Sequence, residues 1–177
     1  PAIKNQIAAA VIKHLTTGQV IFLDGGTTNL FAARLIPPEF TGILITNSPA
    51  IASTLCNLPA AEVICVGGKL DKDQQVVTGA AAEGFIRSLR VDILLLGVCS
   101  IHPRAGITVP ELEEASFKRL LIERSDRVIA LATADKLGTA AAFQVAPLNS
   151  LDLLITNRSP SVDPSPYLES GIDIELI

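Results

Sequence analysis

Methionine and tryptophan are absent from this chain of 177 residues, aromatic residues make up 4% of it, and it holds three cysteines and two histidines. So few rings exclude a stacking platform for nucleobases or a carbohydrate shelf. Cys56, Cys65 and Cys99 each sit in an apolar run and none belongs to a C-x-x-C pair, a pattern that predicts buried thiols in a reducing compartment. His14 and His102 stand alone, so neither a metal centre nor another cofactor is expected. The 14 basic residues are scattered among 18 acidic ones, for a formal net charge of −4, which argues against a nucleic-acid surface on this segment itself. No apolar stretch approaches the length of a membrane span and no signal-peptide pattern opens the chain, so a cytoplasmic location without a membrane partner is expected. The chain starts at Pro1 without a Met, as expected of a segment whose natural N-terminal portion has been removed.

Hydrophobic residues make up 49% of the chain, enough for one sizeable core and a single domain over residues 1–177. Ile3 to Leu15 repeats apolar residues at a helical period and closes at Gly18. Short apolar runs then recur at Val20–Leu23, Gly42–Thr46, Glu62–Val66, Val91–Val98, Arg127–Ala132 and Leu151–Thr156, with Ile172–Leu176 as a short edge strand. Between the first five runs lie helical patterns from Thr27, from Pro49 to about Cys56, from Gly79 to about Leu89, and over Glu111–Arg124. Asp71–Gln75 reads as a polar loop and Cys99–Pro110 as a longer one. Strands such as VDILLLGV lack alternation, which predicts cover on both faces. The order therefore predicts an open, mostly parallel, Rossmann-like α/β sheet with helices on both faces, whose ligands lie beyond the carboxyl ends of the strands.

Those ends read DGGTT, TNS, GGK, GVCS, ATADK and TN. In VIFLDGGTTNL, Asp24, Gly25 and Gly26 form the turn and Thr27 opens a helix. The N–H groups of Gly26, Thr27, Thr28 and Asn29 would be the unpaired donors of a helix N-terminus, which favour an anion. No lysine follows the glycines and the spacing is not G-x-G-x-x-G, so a small phosphate ester fits better than a nucleotide. The same turn also reads as an ordinary strand-to-helix connection in which Thr or Asn caps the helix. Thr46 and Asn47 can bond sugar hydroxyls or close the anion site. Lys136 can place a positive charge on a phosphate, or it is a solvated lysine. Glu111, Glu113 and Glu114 open the charged helix, where carboxylates complement the dipole whether or not one of them meets a ligand.

DGGTT, TNS, VGGKL, PELEEASFK, RVIALATADKLG and LDLLITN, in this order and spacing from about Lys4 to Asn157, resemble the carboxyl-terminal sensor domain of the DeoR family of bacterial transcription regulators. The resemblance implies a ribose-5-phosphate-isomerase-like fold and a phosphorylated sugar or related metabolite as effector. It also implies a winged helix-turn-helix ahead of Pro1, through which alone DNA would be bound, and a homo-oligomer. By it, Gly25–Asn29 form the phosphate loop, Thr46 and Asn47 flank it, Gly67 and Gly68 border the sugar, and Lys136 completes the anion site. This chain departs from the family where Cys99 and Ser100 replace an acidic residue, where Thr133 replaces another, and at Asp135. An aldose–ketose phosphate isomerase on the same fold is the alternative. It needs a carboxylate base beside the substrate, and its DGADE-like cluster is replaced here by GVCSI.

Overall fold

The computed structural model describes residues 2–177. Any segment ahead of Pro1 lies outside the described residues. Seven strands form one sheet, and every pairing between neighbours in it is parallel. In chain order they are β1 Val20–Leu23, β2 Gly42–Thr46, β3 Ala61–Cys65, β6 Val91–Gly97, β9 Ser125–Leu131, β11 Leu153–Thr156 and β12 Asp173–Leu176. The spatial order is β12-β11-β9-β6-β1-β2-β3. The chain builds outward from β1 through β2 to β3, then returns to the other side of β1 and builds outward again from β6. The boundary between β1 and β6 is thus a topological switch point, where connections leave in opposite directions and open a crevice at the carboxyl ends.

The helices α1 Ala2–Ile12, α2 Thr27–Leu35 and α3 Pro49–Leu55 cover one face. Ile7, Ala8 and Val11 of α1, Ala32 and Ala33 of α2, and Ile51 and Leu55 of α3 pack there with Ile21, Leu23, Ile93, Leu95, Ile129 and Leu131. The helices α4 Ala80–Arg87, α5 Leu112–Glu123 and α6 Ser165–Leu168 lie against the other face, which is filled by Phe22, Leu94, Leu96, Val128 and Ala130. Alternate residues of one strand enter opposite cores, both covered, which is why these strands read as unbroken apolar runs. Ser48 starts α3 by accepting the Ile51 N–H at 3.5 Å, with Pro49 in the first turn.

The structure corrects two loops. Asp71–Gln75 is the end of an antiparallel hairpin, β4 Lys69–Asp71 with β5 Val76–Thr78. Cys99–Pro110 contains β7 Ser100–His102 and β8 Gly106–Val109, which join β10 Phe143–Ala146 in an antiparallel ribbon. Strands of three or four residues are too short to display a period. The cysteines are also corrected: Cys56, Cys65 and Cys99 are free and exposed. Cys65 ends an edge strand and Cys56 caps α3, and an apolar run does not reveal which of its positions the fold leaves uncovered. Among the described residues no helix is long and apolar enough to cross a membrane.

Candidate functional site

At the switch point Leu23 gives way to Asp24, which is 1% exposed. Its Oδ1 accepts the Gly25 N–H at 2.8 Å, and its Oδ2 accepts the Gly97 N–H at 3.1 Å and a bond from Lys118 Nζ. Asp24 therefore ties the end of β1 to the end of β6 and to α5. Lys118 is 5% exposed and also donates to the Gly97 carbonyl at 2.9 Å. Its third neighbour is Glu114 Oε1, one helical turn earlier at 3.5 Å. Every proton of this ammonium is directed at the protein. Burial pulls the Lys118 pKa down, but Asp24 and Glu114 outweigh it and leave the pKa above the usual lysine value.

Gly26 precedes α2 with φ 137° and ψ 153°, a backbone conformation that L side chains rarely adopt. No side chain caps the helix, and the Leu30 N–H, bonded to the Gly26 carbonyl at 3.0 Å, is the first donor the helix satisfies. The N–H groups ahead of it carry the positive end of the helix dipole. They face a cleft of about 220 Å³ lined by Gly25–Asn29, Gly97–Cys99, Lys4, Gln74, Glu114, Lys118, Leu131, Thr133 and Lys136. Lys4 comes from the first turn of α1, and Lys136 from the 3-10 turn Ala134–Lys136 that follows β9. Three separate elements thus bring cations and N–H donors to one opening.

The expected site residues separate into two groups. Gly25, Gly26, Thr27, Thr28, Asn29 and Lys136 line the cleft. Asp24, Thr46 and Asn47 stand behind it: Asn47 Oδ1 accepts the Gly25 N–H at 3.1 Å, and Thr46 Oγ1 accepts the Ser48 N–H at 3.0 Å. Gly67 and Gly68 precede the β4–β5 hairpin and are outside the cleft lining, and Glu111 borders an adjoining groove with Asp71, Asp73, Glu113 and Glu114. Asn29 donates through Nδ2 to the Asp24 carbonyl at 2.7 Å and the Leu95 carbonyl at 2.9 Å, which fixes the start of α2 against β6.

Sequence reasoning did not single out Lys4, Gln74 or Lys118. The 3.6-residue period of α1 assigns Lys4 to a solvent face, yet its first turn overhangs the strand ends. Lys118 lies four residues after Glu114 and on the face of α5 that holds Ala115 and Leu121. A lysine on a buried helical stripe is the signal that could have marked it.

Burial holds the Glu114 carboxyl above the usual carboxylate value; Lys118 works against this and the Asp24 charge adds to it. A folded pKa raised above the unfolded one makes a contribution that is full below the unfolded pKa and lost as pH rises through the folded pKa. Glu114→Gln, which mimics the protonated acid, is therefore expected to raise the melting temperature near about pH 7 and to have no effect near about pH 4. Paired thermal melts across that range check it.

An all-parallel sheet covered by helices on both faces, with a cleft at its switch point, defines a Rossmann-like α/β domain. Structure comparison agrees on the fold. Ribose 5-phosphate isomerase A from Methanocaldococcus jannaschii superposes with a TM-score of 0.55 at 15% identity, over 77% of this chain and 54% of that one. The eIF2B beta chain from Chaetomium thermophilum superposes with a TM-score of 0.59 at 14% identity, over 86% and 47%. The sequence is more specific: the family model described as the DeoR C terminal sensor domain matches residues 1–158. The chain belongs to the DeoR C-terminal sensor domain family. It is 35% identical over 168 residues to the HTH-type transcriptional regulator GlpR of Haloferax volcanii, covering 95% of this chain and 66% of that protein. It is 36% identical over 159 residues to the HTH-type transcriptional repressor GlcR of Bacillus subtilis, covering 89% and 60%. A 27% identical relative over 174 residues is the glycerol-3-phosphate regulon repressor of Escherichia coli, covering 98% and 69%. The chain spans about two thirds or less of the length of the first two relatives.

Proposed function

We propose that this chain is the effector-binding domain of a transcription regulator, that it binds a phosphorylated sugar or related metabolite, and that binding controls DNA recognition by a helix-turn-helix domain attached ahead of residue 1. The observation that carries the reading is the uncapped N-terminus of α2 opening on a cleft that also receives Lys4 and Lys136. A phosphate placed there meets main-chain donors, the Thr27 and Thr28 hydroxyls and two ammonium groups. The names of the relatives, regulators of transcription and in one case of a glycerol-3-phosphate regulon, support the same reading. The net charge of −4 fits a segment that leaves DNA contact to another domain.

The alternative, an aldose–ketose phosphate isomerase, draws on the fold shared with ribose 5-phosphate isomerases. Its chemistry needs a carboxylate free to carry a proton between adjacent carbons. Asp24 is bound to Lys118 and two N–H groups, and Glu114 leans on Lys118. Asp24 is committed to these partners, and the stretch GVCSI at the end of β6 supplies no carboxylate, which favours a domain that reads its ligand without transforming it.

A thermal-shift panel of phosphorylated sugars, each beside its unphosphorylated parent, tests the proposal. Stabilisation by at least one ester, none by its parent and no isomerisation of the ester is the expected result. Turnover would establish the alternative. Lys4→Ala and Lys136→Ala are each expected to weaken the active ester about 10-fold to 100-fold in calorimetric titration, the loss of one charge-assisted hydrogen bond.

A further inference from the structure

The cleft at α2 has two chemically different ends. At one, Lys4, Thr133 and Lys136 are shared with an adjoining open cleft beneath the first turn of α1. At the other, Gln74 and Glu114 continue into the groove formed by Asp71, Asp73, Glu111 and Glu113. The first end carries two lysines, with Asp135 in the open cleft beyond them, and the second is walled by five carboxylates. Lys118, which also lines the cleft, is shared between Asp24 and Glu114, so its single charge offsets one of these two carboxylates and leaves the second end acidic. Glu114 keeps one oxygen beyond the 3.5 Å contact to Lys118, and its side chain is 20% exposed.

A volume of about 220 Å³ is room for one phosphate and a short polyol, and Glu114 and Gln74 line the same cleft as the α2 N-terminus. A carboxylate accepts hydrogen bonds from hydroxyl groups and repels a second anion, and repulsion is an effective way to discriminate between two ligands that share a head group. Gln74 is carried by the β4–β5 hairpin and supplies both a donor and an acceptor.

The geometry points to a site selective for polyol monophosphates over bisphosphates, with Glu114 as the specificity-determining residue and Gln74 as its hydroxyl-reading partner. This inference rests on the sensor reading given above and fixes the orientation of the ligand: phosphate toward α2, Lys4 and Lys136, free hydroxyls toward α5. The second phosphate of a bisphosphate would face Glu114 and, behind it, four further acidic side chains.

Calorimetric titration of the wild-type protein with fructose 6-phosphate and fructose 1,6-bisphosphate, with glucose 6-phosphate and glucose 1,6-bisphosphate, and with glycerol 3-phosphate and inorganic phosphate tests this. For each pair in which an ester binds, the monophosphate is expected to bind about 10-fold tighter or more, the order of magnitude of like-charge repulsion at a partly buried carboxylate. Glu114→Gln is expected to narrow that ratio by strengthening the bisphosphate more than the monophosphate. Bisphosphates that bind as tightly as their monophosphates overturn the inference and leave the sensor reading intact. So does an unchanged ratio in a folded Glu114→Gln protein. If no phosphate compound binds, the sensor reading itself fails. The wild-type ratios need no variant, so the test stands even if the substitution impairs folding.

Discussion

Lys118→Met is expected to lower the stability of the fold by about 3–5 kcal/mol, because it leaves the Asp24 carboxylate buried without its cation. Asp24 is 1% exposed and lies at the centre of the sheet, so water cannot replace the ammonium without opening the seam between β1 and β6. For a chain of this length each kcal/mol moves the melting temperature by about 2–4 °C, which places the loss at about 6–20 °C. The decisive comparison is the double variant Asp24→Asn with Lys118→Met. Removing both charges removes the uncompensated ion, and a large part of the lost stability is expected to return. Thermal melts of the wild type, both single variants and the double variant supply the cycle. Independent, additive losses would mean that the two side chains do not act as a pair.

Gly97→Ala is expected to do harm of another kind. A β-carbon at this position would lie 2.3 Å from the Gly25 carbonyl oxygen and 3.2 Å from Asp24 Oδ2. The first of these is backbone, which cannot turn aside as a flexible side chain could. Either β6 moves from β1 or the DGG turn is pushed out, at about 1–3 kcal/mol. Since that turn starts α2 and aims its N–H donors, affinity for the active phosphate ester should fall by more than stability alone explains, about 10-fold for each charge-assisted bond lost. Titration well below the melting temperature separates the two effects. Unchanged affinity in a destabilised protein would show that the turn moves without the donors.

Gly97 also shows where the sequence was legible and where it was not. The central strands of the sheet were visible as apolar runs because both their faces are covered, whereas the edge strands β3 and β12 are partly exposed and read less clearly. The start of α2 was visible for a local reason: two glycines between a carboxylate and two threonines can do little but turn a strand into a helix. What was hidden depends on contacts between residues far apart in the chain. Lys118 meets Asp24 across 94 positions, and Gly97 meets Asp24 across 73. The helical stripe of α5 hints that this lysine is buried, but nothing local in PELEEASFK names Asp24 as its partner. Asp24, read as part of a ligand loop, is spent on Gly97 and Lys118, and Asn47 on the Gly25 N–H. The short ribbons β4–β5 and β7–β8–β10 were hidden because three or four residues carry no period.

The architecture suggests why a sensor on this fold favours such a buried pair. Burying an ion pair is a poor way to gain stability and a good way to fix one arrangement of two elements. Here the pair fixes α5, which carries Glu114, relative to β1, whose end carries the anion cradle. Both ends of the cleft are therefore held by one contact.

The most direct test of the central claim is a backbone amide NMR titration of this chain with an ester that stabilises it, beside the unphosphorylated parent. The account predicts that the N–H resonances of Gly26, Thr27, Thr28 and Asn29 move strongly with the ester, as N–H groups do on donating to an anion, and stay in place with the parent. Binding of the ester with those four resonances unmoved would contradict it.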